Sequence, residues 1–321
     1  MDTDPTHRSD PEPDDSSLHM RLAPGESLDA GLRRMALEQL EVMAQGFSLP
    51  ADDAGSGDRI HRARKASKRV RSLLRLVRTD IGEVVYHNEN AVIRDQAKRL
   101  SDLRIAFVLI ETIDQQAADT PESAAGAAAE LRPGLVARRD AFVAEFRSDA
   151  DGRAAARTAI ACARARIERW PGFDDRDEPN GFLRLVPGLV LAYERGRRTM
   201  RTARYSKTAV DFHDWRKQVN YLRYQLEGLQ GRLPANLAAS EQALNGLSET
   251  LGAEHDLVDL AWIIKTEASP AASSGDRAAL LAEIQQRRRG LQLAALRAGK
   301  TTFRAPPTRV ATSLTAHWAT D

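Results

Sequence analysis

One cysteine, Cys162, stands among 321 residues. No intrachain disulfide and no cysteine-based zinc site can therefore form, and Cys162 is expected as a small core residue. Aromatic residues make up only 5 % of the chain, too few to supply a row of stacking platforms for bases. β-branched runs are sparse, which argues against strands. No apolar stretch approaches the ~20 residues that a membrane-spanning helix needs. The acidic, Pro-rich start lacks the basic stretch and apolar run of a secretory leader. A cytoplasmic protein without membrane contact is expected.

Ala, Arg, Leu, Glu and Gln dominate what is present, which favours helix nearly everywhere outside the Pro and Gly clusters. The net charge of +2 is small but unevenly placed. Asp2, Asp4, Asp10, Glu12, Asp14 and Asp15 load the first residues with acid, so the remainder is more basic than the total suggests. Much of that base is arginine, whose planar fork of donors suits phosphate oxygens.

Residues 1–26 mix acid, Pro, Ser and Thr with few apolar side chains and are expected as a disordered acidic tail. Helical periodicity then predicts helices near 27–48, 58–79, 86–117, 134–169, 182–206, 209–230, 236–267 and 276–298, with breaks at Pro and Gly positions such as Pro133-Gly134 and Pro187-Gly188. Trp170 to Asn180 reads as a hinge. A first four-helix half over 27–170 and a second over 181–300 are expected as two stacked bundles, with a C-terminal tail over 301–321.

An internal repeat is the strongest signal. His61-Arg62-Ala63-Arg64-Lys65 through Arg71 aligns with His213-Asp214-Trp215-Arg216-Lys217 through Arg223, with His, Arg, Lys and Arg at identical offsets. Downstream, Leu100-Ser101-Asp102-Leu103-Arg104 aligns with Leu251-Gly252-Ala253-Glu254-His255, each leading into an apolar run. Two matches in register indicate duplication. At ~100° per residue, His61, Arg64, Lys65, Lys68, Arg71 and Arg75 share one helix face while Val70, Leu73, Leu74 and Val77 lie opposite. The second copy sets His213, Arg216, Lys217 and Arg223 against Trp215, Val219, Leu222, Leu226 and Leu229.

Like charges at these spacings cost a few tenths of a kcal/mol per pair. The first copy carries almost no acid, and two matched copies point to an anion site rather than to solvated basic faces. His61 and His213 at the leading edge would donate from both ring nitrogens when protonated, which makes binding acid-favoured.

Together with Leu189-Val190-Leu191-Ala192-Tyr193-Glu194-Arg195-Gly196-Arg197-Arg198 and the Leu251-Gly252 to His255-Asp256-Leu257 segment, the two histidine helices resemble the CHAD domain, the conserved histidine α-helical domain. The resemblance covers about residues 27 to 300. It implies an all-α fold of two four-helix bundles related by a pseudo-twofold internal repeat, with a basic central cavity. It also implies non-catalytic binding of inorganic polyphosphate, with association to polyphosphate granules, and no cofactor or metal. The matching positions are His61, Arg64, Lys65, Lys68 and Arg71 in the first copy and His213, Arg216, Lys217 and Arg223 in the second. Tyr193, Arg197 and Arg198 match the helix before the second copy. The family's Arg-Asp pair after the Leu-Gly step is split here, with Arg104 followed by Ile105 and His255 by Asp256. Asn220 stands where Lys is common. A stand-alone binder is expected, without the triphosphate-tunnel domain of many relatives.

Two other readings use the same residues. His213-Asp214 and His255-Asp256 resemble the dyads of metal-dependent HD phosphohydrolases, but their first-half counterparts, His61-Arg62 and Arg104-Ile105, carry no Asp, and a cation-lined site repels metal ions. Nucleic acid would use the same phosphate grip, yet no helix-turn-helix or zinc pattern accompanies it. Tyr221, Tyr224 and Trp215 are expected to pack between helices.

Overall fold

The computed structural model describes residues 20–48, 55–119, 122–170, 181–266 and 274–319. The acid-rich stretch before residue 20 and the expected hinge at 171–180 lie outside them. Among the described residues every regular element is helical.

Ser27, whose hydroxyl accepts from the Ala30 N–H, starts α1 (Leu28–Gln45), which buries Leu28, Leu32, Met35, Ala36, Leu40 and Met43. The chain just before it belongs to the same body. Met20 and Leu22 are buried, and the Leu22 N–H donates to the Gly228 carbonyl at 3.1 Å. The expected tail therefore ends by residue 19 rather than at 26.

The first histidine helix is α2 (Ser56–Leu76). A single four-residue turn, α3 (Arg78–Ile81), and Gly82, with φ of 80°, redirect the chain into α4 (Glu83–Arg99). The helix expected over 86–117 is broken at Leu100, beyond which α5 (Ser101–Asp119) begins. At the break Arg64 donates to the Ala97 carbonyl at 2.7 Å and to the Ser101 hydroxyl at 2.6 Å. A guanidinium on the last carbonyls of a helix satisfies acceptors that its own backbone leaves open.

Helix α6 (Glu122–Ser148) runs straight through Pro133, which had been expected to stop it. Burial of Ala127, Ala128, Leu135 and Val143 along this helix offsets the one missing donor. The expected 134–169 helix instead breaks at Asp149, which caps α7 (Ala150–Ile167) by accepting from the Gly152 N–H. Cys162 is exposed on α7, not in the core, because the buried positions there are Ala156, Ile160, Ala163 and Ile167.

A 3-10 turn (Gly181–Leu185) leads into α8 (Val186–Ser206), with Pro187 in its first turn, where a proline costs nothing. Gly188 lies against α2: a Cβ there would sit 2.3 Å from the Leu76 carbonyl oxygen. The second histidine helix is α9 (Ala209–Gly228), followed by α10 (Ala235–Thr266) and α11 (Ser274–Thr302). Residues 301–321, expected as a tail, carry α12 (Pro307–Trp318), which packs on α8 and buries Val310, Leu314 and Trp318. Its apolar positions fall at i, i+4 and i+8, one stripe of a short amphipathic helix.

Pairings recur between the halves. Helix α1 packs on α2 as α8 does on α9, α4 and α5 pack on α2 as α10 does on α9, and α5 on α6 as α10 on α11. Across the halves, α2 meets α9, α5 meets α10 and α6 meets α11. The apolar cores follow these cross-pairings. One joins α1, α2, α4, α7, α8 and α9 with the N-terminal part of α10 and α12, and the other joins α5 and α6 to the C-terminal part of α10 and the N-terminal part of α11.

Candidate functional site

Where the paired helices face one another, a cavity of about 610 Å³ opens. Helix α2 lends it His61, Arg64, Lys65 and Lys68, α5 lends Arg104, α9 lends Arg216 and Arg223, α10 lends His255, and α11 lends Arg287. The opposite faces of α2 and α9 lie in the core, with Val70, Leu73 and Leu74 on one and Trp215, Val219, Leu222 and Leu226 on the other. The amphipathic stripe thus aims the cations at the cavity.

Equivalent residues of the two copies make comparable contacts. Arg64 reaches Ser101, and Arg216 lies beside the equivalent Gly252, where a Cβ would come 3.5 Å from its Nη2. The His213 ring lies against His255, tilted by 41° with ring centroids 4.4 Å apart. The Arg223 guanidinium donates to Asn245, whose amide donates to Glu249 at 2.8 Å. The Nε atoms of Arg216 and Arg223 and the Nδ1 of His213 are buried with no hydrogen-bond partner among the described residues.

The crowding of cations is visible in their acidity. Burial, then Arg216 and Arg64, push Lys68 down to about 7, although its side chain keeps a partly accessible surface on the cavity. Burial, then Arg104, Lys68 and Lys65, lower His61 to about 4, and burial, then Arg216, lower His255 to about 3. His213 is lowered by burial and then by Lys217 and Arg216. The histidines are therefore neutral at pH 7 and each offers one ring N–H. The two-nitrogen donors expected from sequence do not exist in the empty site, and the group poised to gain a proton is Lys68.

Other expected site residues are engaged elsewhere. Arg71 donates to Asn90 at 3.0 Å, and Arg75 donates to the Arg71 carbonyl and lies 3.9 Å from the Tyr221 ring centroid. The Tyr193 hydroxyl donates to the Ala305 carbonyl at 3.0 Å and so ties α8 to the segment after α11. Arg197 is half-buried and Arg198 exposed on α8, and neither lines the cavity. Lys217 pairs with Asp214 at 2.5 Å, and about half of each side chain is exposed. His213 is not itself a lining residue and meets the lining at the His255 ring.

Four charged lining residues were missed by sequence reasoning. Arg287 belongs to the run Arg287-Arg288-Arg289, in which Arg288 binds the buried Glu254 at 2.9 Å; periodicity alone does not tell which of the three faces inward. Glu249, Asp256 and Asp259 put carboxylates into the cation-lined wall. Asp256 was read only as half of a dyad, and Asp259, one turn further on, was the available signal. Burial and then Asp256 raise Asp259 to about 6, and burial raises Asp256 against the pull of Arg216, Arg104 and Lys68. His255 Nε2 lies 3.7 Å from Asp259.

Comparison with known proteins agrees with this architecture. The family model described as CHAD domain matches residues 34–265. Among solved structures, the chain is similar to the CHAD domain from the plant Ricinus communis, at 17% identity and a TM-score of 0.61, over 86% of this chain and 90% of that one. It is similar also to PptA from Streptomyces chartreusis, at 14% identity and a TM-score of 0.55, over 85% and 98%. No curated protein sequence matches the chain.

Proposed function

Since the chain belongs to the CHAD domain family, we propose that it binds inorganic polyphosphate, without catalysis, in the cavity between its paired histidine helices. One observation carries this reading. Seven Arg and Lys side chains from α2, α5, α9 and α11 converge on one cavity. A phosphate chain supplies many oxygen acceptors and the negative charge that so concentrated a positive field favours. Arginine forks would grip non-bridging oxygens, and Lys65 and Lys68 would act as point charges. No resident cofactor is needed for this.

Nucleic acid fits less well. Tyr224 lines the cavity, but the guanidiniums of Arg223 and Arg69 lie 4.4 and 5.6 Å from its ring centroid, and Arg75 covers Tyr221. These faces are not available to stack on bases. The HD-hydrolase alternative also draws little support. Asp214 is committed to Lys217, and among the described residues no three His, Cys, Asp or Glu side chains are grouped to hold a metal ion. No described helix is long and apolar enough to cross a membrane. Residence on polyphosphate granules inside the cell would follow from the same binding.

Titration with long-chain polyphosphate tests the proposal. Affinity is expected to fall at least about a hundredfold between 50 and 200 mM salt, by analogy with counterion release from DNA. Single-stranded DNA of equal charge is expected to compete poorly; equal competition would favour the nucleic-acid reading.

The pH dependence has a defined sign. Lys68 titrates near 7 in the empty site, and a polyanion beside it favours the ammonium, so binding above pH 7 takes up a proton. Affinity is expected to weaken about tenfold from pH 7 to 8.5. Protonation of Asp259 as pH falls through about 6 removes a repelling charge and acts in the same direction. The free protein behaves oppositely: Lys68 holds fewer protons folded than unfolded between about 7 and its ordinary 10.5, so stability rises with pH over that window. Affinity that strengthens above pH 7 would contradict the assignment of Lys68 to the site.

A further inference from the structure

The carboxylates inside the cation-lined cavity have no use in a site built only to attract anions. All three, Glu249, Asp256 and Asp259, stand on α10, facing the cations of α2, α5 and α9. Asp256 is central: Lys68 from α2, Arg104 from α5 and Arg216 from α9 all act on its charge, while Asp259 one turn away lies toward His255. Glu249, at the exposed end, accepts from Asn245, which in turn receives Arg223. Buried carboxylates whose ionisation is disfavoured by burial persist where neighbouring cations offset the cost.

We infer that Asp256, supported by Asp259 one turn further along α10 and by Glu249 at the exposed end, is the cavity's resident counter-ion and makes the site discriminate long phosphate chains from short ones. The inference rests on the polyphosphate reading and extends it to specificity. A short phosphate that settles among Lys68, Arg104 and Arg216 meets a cluster whose charge Asp256 already neutralises in part. The carboxylate is tethered to α10 and loses no translational freedom by being there, whereas a small free ion does. A long chain also reaches Arg64, Lys65, Arg223 and Arg287, so it gathers enough contacts to tolerate the carboxylates. Specificity here comes from an element that repels the wrong ligand as well as from those that attract the right one.

The test compares the wild type with the isosteric Asp256→Asn and with Glu249→Gln, whose side chain is exposed and whose amide oxygen still accepts from Asn245. Tripolyphosphate and long-chain polyphosphate are titrated into each at one ionic strength, with and without magnesium, and helicity is checked by circular dichroism. Asp256→Asn is expected to bind tripolyphosphate about tenfold tighter and the long chain less than about threefold tighter, so that discrimination shrinks. Glu249→Gln is expected to move tripolyphosphate the same way by about two- to threefold. A folded Asp256→Asn that binds tripolyphosphate no better than wild type overturns the inference. So does a wild type that needs magnesium and an Asp256→Asn that loses it, because the carboxylates would then hold a phosphate-bound cation. If Asp256→Asn does not fold, an unchanged Glu249→Gln overturns it alone. Failure of the functional reading looks different: the wild type itself then binds no long-chain polyphosphate, and both proposals fall together.

Discussion

Replacing Arg64, Lys68, Arg104 and Arg216 together by glutamine is expected to weaken binding of long-chain polyphosphate by about three orders of magnitude while the protein stays helical. Each shielded, charge-assisted contact contributes about 1.5–3 kcal/mol. Four such losses, discounted heavily for non-additivity, still exceed the ~4 kcal/mol that a thousandfold change requires. The fold should survive. Lys68, Arg104 and Arg216 repel one another, and relief of that repulsion offsets the loss of the cations around Asp256, which then takes up a proton rather than remain as a stranded charge. Glutamine at 64 keeps a donor for the Ala97 carbonyl, which Arg64 holds at the α4–α5 break. The comparison variant replaces Arg197, Arg198 and Lys217, which match the same family pattern but lie off the cavity lining. It is expected to lose less than about threefold, in keeping with the small worth of exposed charges. Calorimetric titration of both variants separates a cavity site from a general basic surface.

The second large effect concerns the seam that holds α2 against α9. Arg69 Nη2 donates to Glu227 Oε1 at 2.6 Å, with 2% and 8% of the side chains exposed. Beside this pair the Ser72 hydroxyl donates to the Tyr221 carbonyl at 2.6 Å, and the Gln225 amide donates back to the Ser72 carbonyl at 3.2 Å. Arg69→Met would leave the Glu227 carboxylate buried without its partner, a change that costs about 3–5 kcal/mol. Arg69→Met with Glu227→Leu replaces both charges by apolar groups and is expected to recover most of that loss. Chemical denaturation of the three proteins measures it. Recovery in the double variant shows the penalty to be the stranded charge. The same seam sets the spacing of the two cavity walls, so the single variant is expected to lose affinity as well as stability.

Much of this arrangement was legible in the sequence. The repeat placed His61, Arg64, Lys65 and Lys68 on one face of α2 and Arg216 and Arg223 on one face of α9, and these line the cavity. Residues farther along the same face diverge because a helix outruns its neighbour. By Arg71 and Arg75 the partner is Asn90 and the ring of Tyr221, not open space. Periodicity gives the angle of a side chain about its own axis and says nothing of what faces it. For that reason Arg287, Asp256 and Asp259, which owe their place to how α10 and α11 pack, escaped notice. Local punctuation misled in both directions. Pro133 lies inside α6, while the break at Leu100 depends on Arg64, 33 residues from the Ala97 carbonyl it takes. The acidity of the histidines was misjudged because a pKa depends on burial and on neighbours from other helices.

The most direct test of the central claim is the crystal structure of the protein with a phosphate chain bound at neutral pH. The account predicts phosphate density in the cavity, within hydrogen-bond distance of the Arg216 and Arg223 guanidiniums and beside Lys68 and Arg104. A chain ordered instead along the outer surface of α8, at Arg197 and Arg198, with the cavity left to solvent, would contradict it.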